Sequence, residues 1–226
     1  MTIRAVAWDV DGTLVDSEPL HHDALIAACQ NWNVDISDIT EDFFRGVHMG
    51  DVWRAIAPRM PAEAAERDWI AANDEYYVKH RKLLKPMPRA LETVAVLAEA
   101  GLSQICVSNA GRMILDANID ALGLGSLMEF SLSLDDVSDG KPHPEPYALG
   151  CARLRLRPDQ VIAIEDSSTG RRSARSAGLL VVAYDHLGEG ITDADHIIRD
   201  LSGLPSLIGA HRSATMPVAM HGTGGA

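Results

Sequence analysis

Cysteine is scarce in this chain: three residues in 226, at positions 29, 106 and 151. They are odd in number and widely spaced, and they fit neither a zinc pattern nor a disulfide framework. Reduced thiols and a cytoplasmic setting are the expectation, with Cys106, inside an apolar run, as a small core residue. Aromatic residues make up only 5% of the chain. No apolar run approaches the ~18 residues that a membrane span needs. Asp9 arrives too early for the apolar centre of a signal peptide. Basic residues are outnumbered, 20 Lys and Arg against 32 Asp and Glu, for a formal charge of −12. A chain this acidic has no built-in attraction for nucleic acid or an anionic membrane. An anionic substrate would need a local positive site or a bound metal ion. With 46% hydrophobic and 23% charged residues, the composition is that of a globular protein, long enough for one large domain or two modest ones. No internal repeat is present.

The chain alternates short apolar runs with helical patterns. Arg4 to Val10, Ile105 to Val107, Phe130 to Leu134, Val161 to Ile164 and Leu179 to Ala183 read as buried strands, each closing on polar or acidic residues. Helical patterns fill the gaps, and Ala90–Ala100, Met113–Leu122 and Ser168–Ala177 each stop at a glycine. This predicts an α/β fold: a Rossmann-like parallel sheet with helices on both faces. Residues 16–86 break the alternation. Leu25, Ala28, Cys29 and Trp32 share one helical face, and Trp69, Ile70, Tyr76 and Tyr77 sit in another helical stretch. We expect an all-helical cap over 16–86, inserted into a core of residues 1–15 and 87–226. From about Gly209 the periodicity fades, and a frayed tail over 209–226, carrying His211 and His221, is expected. In open parallel sheets ligands bind beyond the C-terminal strand ends, where the polar residues closing these runs would gather.

The strongest chemical signal is Asp9-Val10-Asp11-Gly12-Thr13 directly after the first strand. Two carboxylates two residues apart can face one side; their repulsion should raise one pKa, and a hard divalent cation would relieve it. Gly12 permits the sharp turn that follows. Glu165-Asp166 closes another strand, either as solvated loop acids or as the second half of a carboxylate cluster. A four-carboxylate cluster would need a cation, and an all-oxygen donor set favours Mg²⁺ over zinc or copper. Lys141 stands in a proline-stiffened loop, Gly140-Lys141-Pro142-His143-Pro144. Ser108-Asn109 follows the second apolar run, where serine is commonly a helix cap.

In the order DVDGTLVDSE, VSNA, GKPHPEPY, IEDSSTG, these segments resemble the haloacid dehalogenase-like hydrolase superfamily over about residues 3–208, in the phosphatase and phosphomutase branch with a helical cap after the first motif. The resemblance implies roles. Asp9 resembles the nucleophile that becomes an aspartyl-phosphate, and Asp11 the general acid and then base. Ser108 resembles the hydroxyl, and Lys141 the cation, that meet the phosphoryl group. Asp166, with Asp9 and the Asp11 carbonyl, resembles the Mg²⁺ site, to which Glu165 would bind directly or through water. On this reading Asp11 benefits from a raised pKa and Asp9 must stay ionised. Gly12, Asn109, His21 and Arg112 are the candidate substrate-binding residues; for Arg112 the other reading is a solvated first-turn arginine, and for His21 a cap-helix histidine facing solvent or a neighbouring acid.

The implied activity is Mg²⁺-dependent hydrolysis of a small phosphate ester, such as a sugar phosphate, by a monomer or small homo-oligomer. Halide needs no proton on leaving, so the acid at position 11 argues against dehalogenation. The rival inside the family resembles beta-phosphoglucomutase. His21 favours it, but Met49 and Ala72 stand where that mutase carries phosphate-gripping Arg and Lys, although Arg45 or Arg54 could substitute. A non-enzymatic phospho-acceptor or interaction module is the alternative from another class. Specificity would reside in the cap, whose distinctive residues are Phe43, Phe44, His48, Met49, Trp53 and Arg54.

Overall fold

The computed structural model describes residues 2–40 and 49–213. Phe43, Phe44, Arg45, His48 and His221, named above, lie outside these residues. The strands are β1 (Ala5–Trp8), β2 (Val15–Asp16), β3 (Lys85–Pro86), β4 (Ser103–Val107), β5 (Phe130–Leu132), β6 (Val161–Glu165), β7 (Leu180–Tyr184) and β8 (His196–Ile198). The helices are α1 (Glu18–Gln30), α2 (Met49–Ile56), α3 (Glu66–His80), α4 (Ala90–Glu99), α5 (Arg112–Leu122), α6 (Glu145–Leu154), α7 (Ser168–Ser176) and α8 (Leu204–Ser213).

Six strands form one sheet in the order β5-β4-β1-β6-β7-β8, and every neighbouring pair is parallel. Successive strand residues point to opposite faces, and each face buries its own set. Val6, Trp8, Cys106, Ile162, Ile164 and Val182 pack on one side with Val94 and Leu97 of α4, Leu115 of α5 and Ile208 of α8. Ala5, Ala7, Ile105, Val107, Ala163 and Val181 pack on the other with Tyr147 and Cys151 of α6 and Ala174 of α7. The expected Rossmann-like α/β core is what forms, because these strands carry buried apolar residues toward both faces and both faces must be covered. β1 lies between β4 and β6. Trp8, at its end, is fully buried; its indole N–H donates to Gln104 Oε1 (2.9 Å), whose amide donates to the Val94 carbonyl (2.9 Å). That satisfied chain anchors the residue just before Asp9.

Between β2 and β3 the described elements are helical. β2 and β3 pair antiparallel, Val15 with Pro86 and Asp16 with Lys85, so the chain leaves and re-enters the core side by side. The helical segment has its own hydrophobic centre of Leu25, Cys29, Ile36, Val52, Ile56 and Trp69. Trp53 stacks at a tilt on Trp69 (5.6 Å between rings). Met49 and Ala72 pack against the same centre.

Two features depart from the sequence reading. β8 extends the sheet past the fifth run; three partly exposed residues are too short to show alternation. The helical conformation continues past Gly209 to Ser213, and residues 214–226 of the expected tail lie outside the described residues. Leu204 and Ile208 bury against the first sheet face, and the His211 ring meets His196 at 2.9 Å between Nε2 atoms. These contacts hold a segment whose periodicity alone was too weak to signal a helix.

Candidate active site

Four segments converge at the C-terminal end of the sheet. Asp9 continues β1, its backbone N–H donating to the Ile164 carbonyl at 3.0 Å. Gly12 turns the chain at φ +77°, and a Cβ there would overlap the Asp166 carboxylate. Both the left-handed backbone and the close approach therefore demand glycine. Lys141, its side chain 3% exposed, donates from Nζ to Asp9 Oδ1 (2.6 Å), Glu165 Oε1 (2.6 Å) and the Val107 carbonyl (2.8 Å). The Thr13 hydroxyl spans Asp9 Oδ2 (3.3 Å) and Asp166 Oδ1 (3.4 Å). Asp9, Glu165 and Asp166 each bring a carboxylate oxygen within 4.8 Å of the others.

One ammonium does not balance three carboxylates. Burial, then the charge of Glu165, pushes Asp9 well above the usual carboxylate range although Lys141 pulls the other way. Burial and Glu165 push Asp166 up to about 7. Burial opposes the charge on Lys141, yet Asp9 and Glu165 outweigh it and raise its pKa. The surplus negative charge on oxygen donors is what a hard divalent cation would offset, so the donor set is compatible with one. Glu165 is already engaged. Its Oε1 accepts from Lys141 and the buried Tyr147 hydroxyl, and its Oε2 accepts from Ser167 at 3.2 Å.

Asp11 lies two residues beyond, and its pKa moves in the opposite direction to that of Asp9. Its Oδ1 accepts from Ser17 Oγ (2.8 Å) and Asn118 Nδ2 (3.0 Å), with His21 Nε2 at 3.5 Å; its Oδ2 accepts from Ser108 Oγ (3.1 Å). Burial would raise its pKa, but His21, Ser17 and Ser108 outweigh that and hold it below the usual range. The directions are the reverse of the expected ones: Asp9 is raised and Asp11 lowered. The donors crowd around Asp11, while the like charges crowd around Asp9.

The remaining candidates are placed as follows. Ser108 Oγ, besides meeting Asp11, accepts from the Ala110 N–H (2.9 Å). His21 faces Asp11 and lies on the Tyr77 ring (4.5 Å). Asn109 clamps the Lys141 backbone, accepting from its N–H (2.7 Å) and donating to its carbonyl (3.0 Å), and so shapes that loop. Arg112 is likewise occupied, donating to Asp116 (3.0 Å), to the Ser131 hydroxyl (2.7 Å) and to Asp136. Its guanidinium braces β5 and the turn after it. Arg54 is exposed and pairs with Asp51.

The sequence reading gave no place in the site to Thr13, Tyr147, Asn118, Tyr77 or Arg171. Thr13 and Tyr147 lie inside the quoted motifs. Asn118 stands in the stripe Leu115, Asn118, Leu122, where a polar residue among apolar ones was the available signal. Arg171 donates to the Asp166 carbonyl (2.6 Å) and to Asp193 (2.9 Å), fixing the loop that carries Asp166.

Comparisons with known proteins bear on the family and the fold. The model of the haloacid dehalogenase-like hydrolases matches residues 3–178. Validoxylamine A 7'-phosphate phosphatase of Streptomyces hygroscopicus subsp. limoneus is 27% identical, over 88% of this chain and 94% of that protein. The plasmid-encoded phosphoglycolate phosphatase of Cupriavidus necator is 28% identical, over 93% and 95%. Among solved structures, CbbY from Rhodobacter sphaeroides in complex with phosphate superposes with a TM-score of 0.80 at 24% identity, over 90% of this chain and 96% of that one; at that identity the likeness speaks to fold. The fold, the converging motifs and the match over most of the chain lead to one conclusion: the chain belongs to the haloacid dehalogenase-like hydrolase family and is a phosphoric monoester hydrolase.

Proposed function

We propose that this phosphatase hydrolyses a small phosphorylated metabolite, a sugar phosphate or similar ester, in two steps through an aspartyl-phosphate on Asp9, with residues 16–86 as a cap over the site. The observation that carries the reading is Lys141 Nζ held between Asp9 and Glu165 beside Asp166. It puts a fixed positive charge where an anionic phosphoryl group must approach an anionic nucleophile. Asp9, Asp166 and the Asp11 carbonyl would hold Mg²⁺, with Glu165 orienting Lys141. When bound, Mg²⁺ supplies positive charge against the phosphoryl oxygens.

In the first step an Asp9 carboxylate oxygen bonds to phosphorus, the ester P–O bond breaks, and Asp11 gives its proton to the departing oxygen. An anionic phosphoryl group beside Asp11 favours its protonated form, against the pull of His21 and Ser17 in the free site. In the second step Asp11 takes a proton from water as the water oxygen bonds to phosphorus. The Asp9–phosphorus link then breaks and inorganic phosphate leaves. Splitting one displacement into two lowers each barrier. Ser108, hydrogen-bonded to Asp11, would also meet the transferring group. Met49 and Ala72, packed into the cap centre, offer no charge for a second phosphate, which supports hydrolysis over a mutase.

The test is phosphate release from p-nitrophenyl phosphate and a sugar-phosphate panel with Mg²⁺. Turnover that Asp9→Asn abolishes without unfolding the protein is the expected result. Turnover retained by Asp9→Asn overturns the nucleophile. Conversion of beta-glucose 1-phosphate to glucose 6-phosphate with a bisphosphate primer overturns hydrolysis as the main reaction.

A further inference from the structure

One buried polar pair behind Asp11 takes no part in the steps above. Asn118 of α5 is 0% exposed. An amide in such a place is costly unless both its ends are paired, and both are. Tyr77 of α3, equally buried, donates its hydroxyl to Asn118 Oδ1 at 2.8 Å, and Asn118 Nδ2 donates to Asp11 Oδ1 at 3.0 Å. The two oxygens of Asp11 are served unequally. Oδ1 meets Ser17, Asn118 and His21, whereas Oδ2 meets Ser108 alone among the described residues.

A neutral carboxyl has one O–H and one carbonyl oxygen. With Ser17, His21 and an amide N–H directed at Oδ1, a proton on that oxygen would crowd hydrogens together and leave too little acceptor capacity for all three. We infer that Asn118, locked by Tyr77, is a positioning residue that keeps Oδ1 of Asp11 an acceptor and so assigns the transferred proton to Oδ2. The inference rests on Asp11 being the acid and base of the proposed reaction. Tyr77 supplies the lock. Without its hydroxyl the amide of Asn118 can turn over, present its oxygen to Asp11 and draw the proton onto Oδ1, away from the leaving group. Because Tyr77 belongs to the helical segment and Asn118 to the core, the pair also joins the two directly behind the acid.

The experiment compares Asn118→Leu, Tyr77→Phe and Asp11→Asn in the full chain with Mg²⁺. Each is assayed on p-nitrophenyl phosphate and on the best alkyl phosphate of the panel, and thermal midpoints are recorded alongside. An alkoxide needs a proton to leave and nitrophenolate does not, and kcat/KM reads the steps through formation of the aspartyl-phosphate. For the alkyl ester, kcat/KM should fall about tenfold in Asn118→Leu, the worth of one hydrogen bond to a charged group, and several-fold in Tyr77→Phe. For the nitrophenyl ester it should stay within about twofold of the parent in both. Equal loss on the two substrates, or no loss on either, overturns the positioning role and leaves a packing role. Should Asn118→Leu fail to fold, Tyr77→Phe decides, since it keeps its ring against His21. Asp11→Asn separates the two readings. If it turns over the alkyl ester normally, Asp11 is not the acid and both fall. If it is inactive while the substrate ratio stays put in the other variants, only the inference about Asn118 falls.

Discussion

Replacing Lys141 with methionine keeps most of the side-chain volume and removes one charge from between two carboxylates. Lys141 is 3% exposed, Asp9 11% and Glu165 0% at the side chain, so solvent cannot take over the role of the ammonium. Removing one partner of a buried ion pair costs about 3–5 kcal/mol, because it strands the other charge. With two carboxylates stranded, the upper half of that range is expected. At 2–4 °C per kcal/mol for a chain of this size, the thermal midpoint should drop by roughly 8–20 °C. Urea unfolding should show a lower midpoint at unchanged slope. The double variant Lys141→Met with Glu165→Gln should recover part of the loss, since Gln offers Tyr147 an acceptor without a charge. Added Mg²⁺ should also recover part of it, by offsetting the carboxylates, while turnover stays absent. A loss below about 1 kcal/mol, which is typical of an exposed pair, would refute the claim that Lys141 neutralises this cluster. So would a double variant less stable than Lys141→Met alone.

Gly170→Ala tests the same cluster from below. In an exposed helix the change would stabilise by up to ~1 kcal/mol. Here the new Cβ would overlap the Glu165 carboxylate, which Lys141, Tyr147 and Ser167 hold in place. The sign should therefore reverse, to a loss of about 1–3 kcal/mol by urea unfolding; a gain would show that the carboxylate yields. Asp185 gives a pH dependence away from the site. Burial would raise its pKa, but the N–H groups of Glu189 and Gly190 outweigh that and lower it. Its folded pKa lies below the unfolded ~3.9, so its contribution is complete above that pH and is lost as pH falls through the folded value. Asp185→Asn should flatten the acid limb of a stability–pH curve, and an unchanged limb would count against this.

The parts of the site that were legible in the sequence are those at strand ends. Asp9, Glu165 and Ser108 each close an apolar run, and strand ends of a parallel sheet meet by construction. Lys141 was legible through its loop and its order in the chain. Which oxygen meets which donor was not, because that depends on pairing across 107 residues of separation for Asn118 and Asp11. Asn109 and Arg112 drew notice because they follow Ser108, and nothing in the sequence indicated what they hold inside the protein. Their partners, the Lys141 backbone and Asp136, come from segments whose approach no local pattern encodes. The inverted order of Asp9 and Asp11 has the same origin. Spacing shows that two carboxylates are close, while the third-party charges and donors decide which pKa rises and which falls.

The central place of β1 has a kinetic consequence. Ala5 to Trp8 are hydrogen-bonded into neighbours on both flanks, so their amides should exchange with solvent only when the whole domain opens. Asp9 hangs directly from that slowest-exchanging strand, whereas Asp11, two residues further on and just before the Gly12 turn, leans on the side chains of Ser17, at the head of α1, and Asn118 of α5. One carboxylate is thus tied to the last region to unfold, and the other to contacts that local breathing can break.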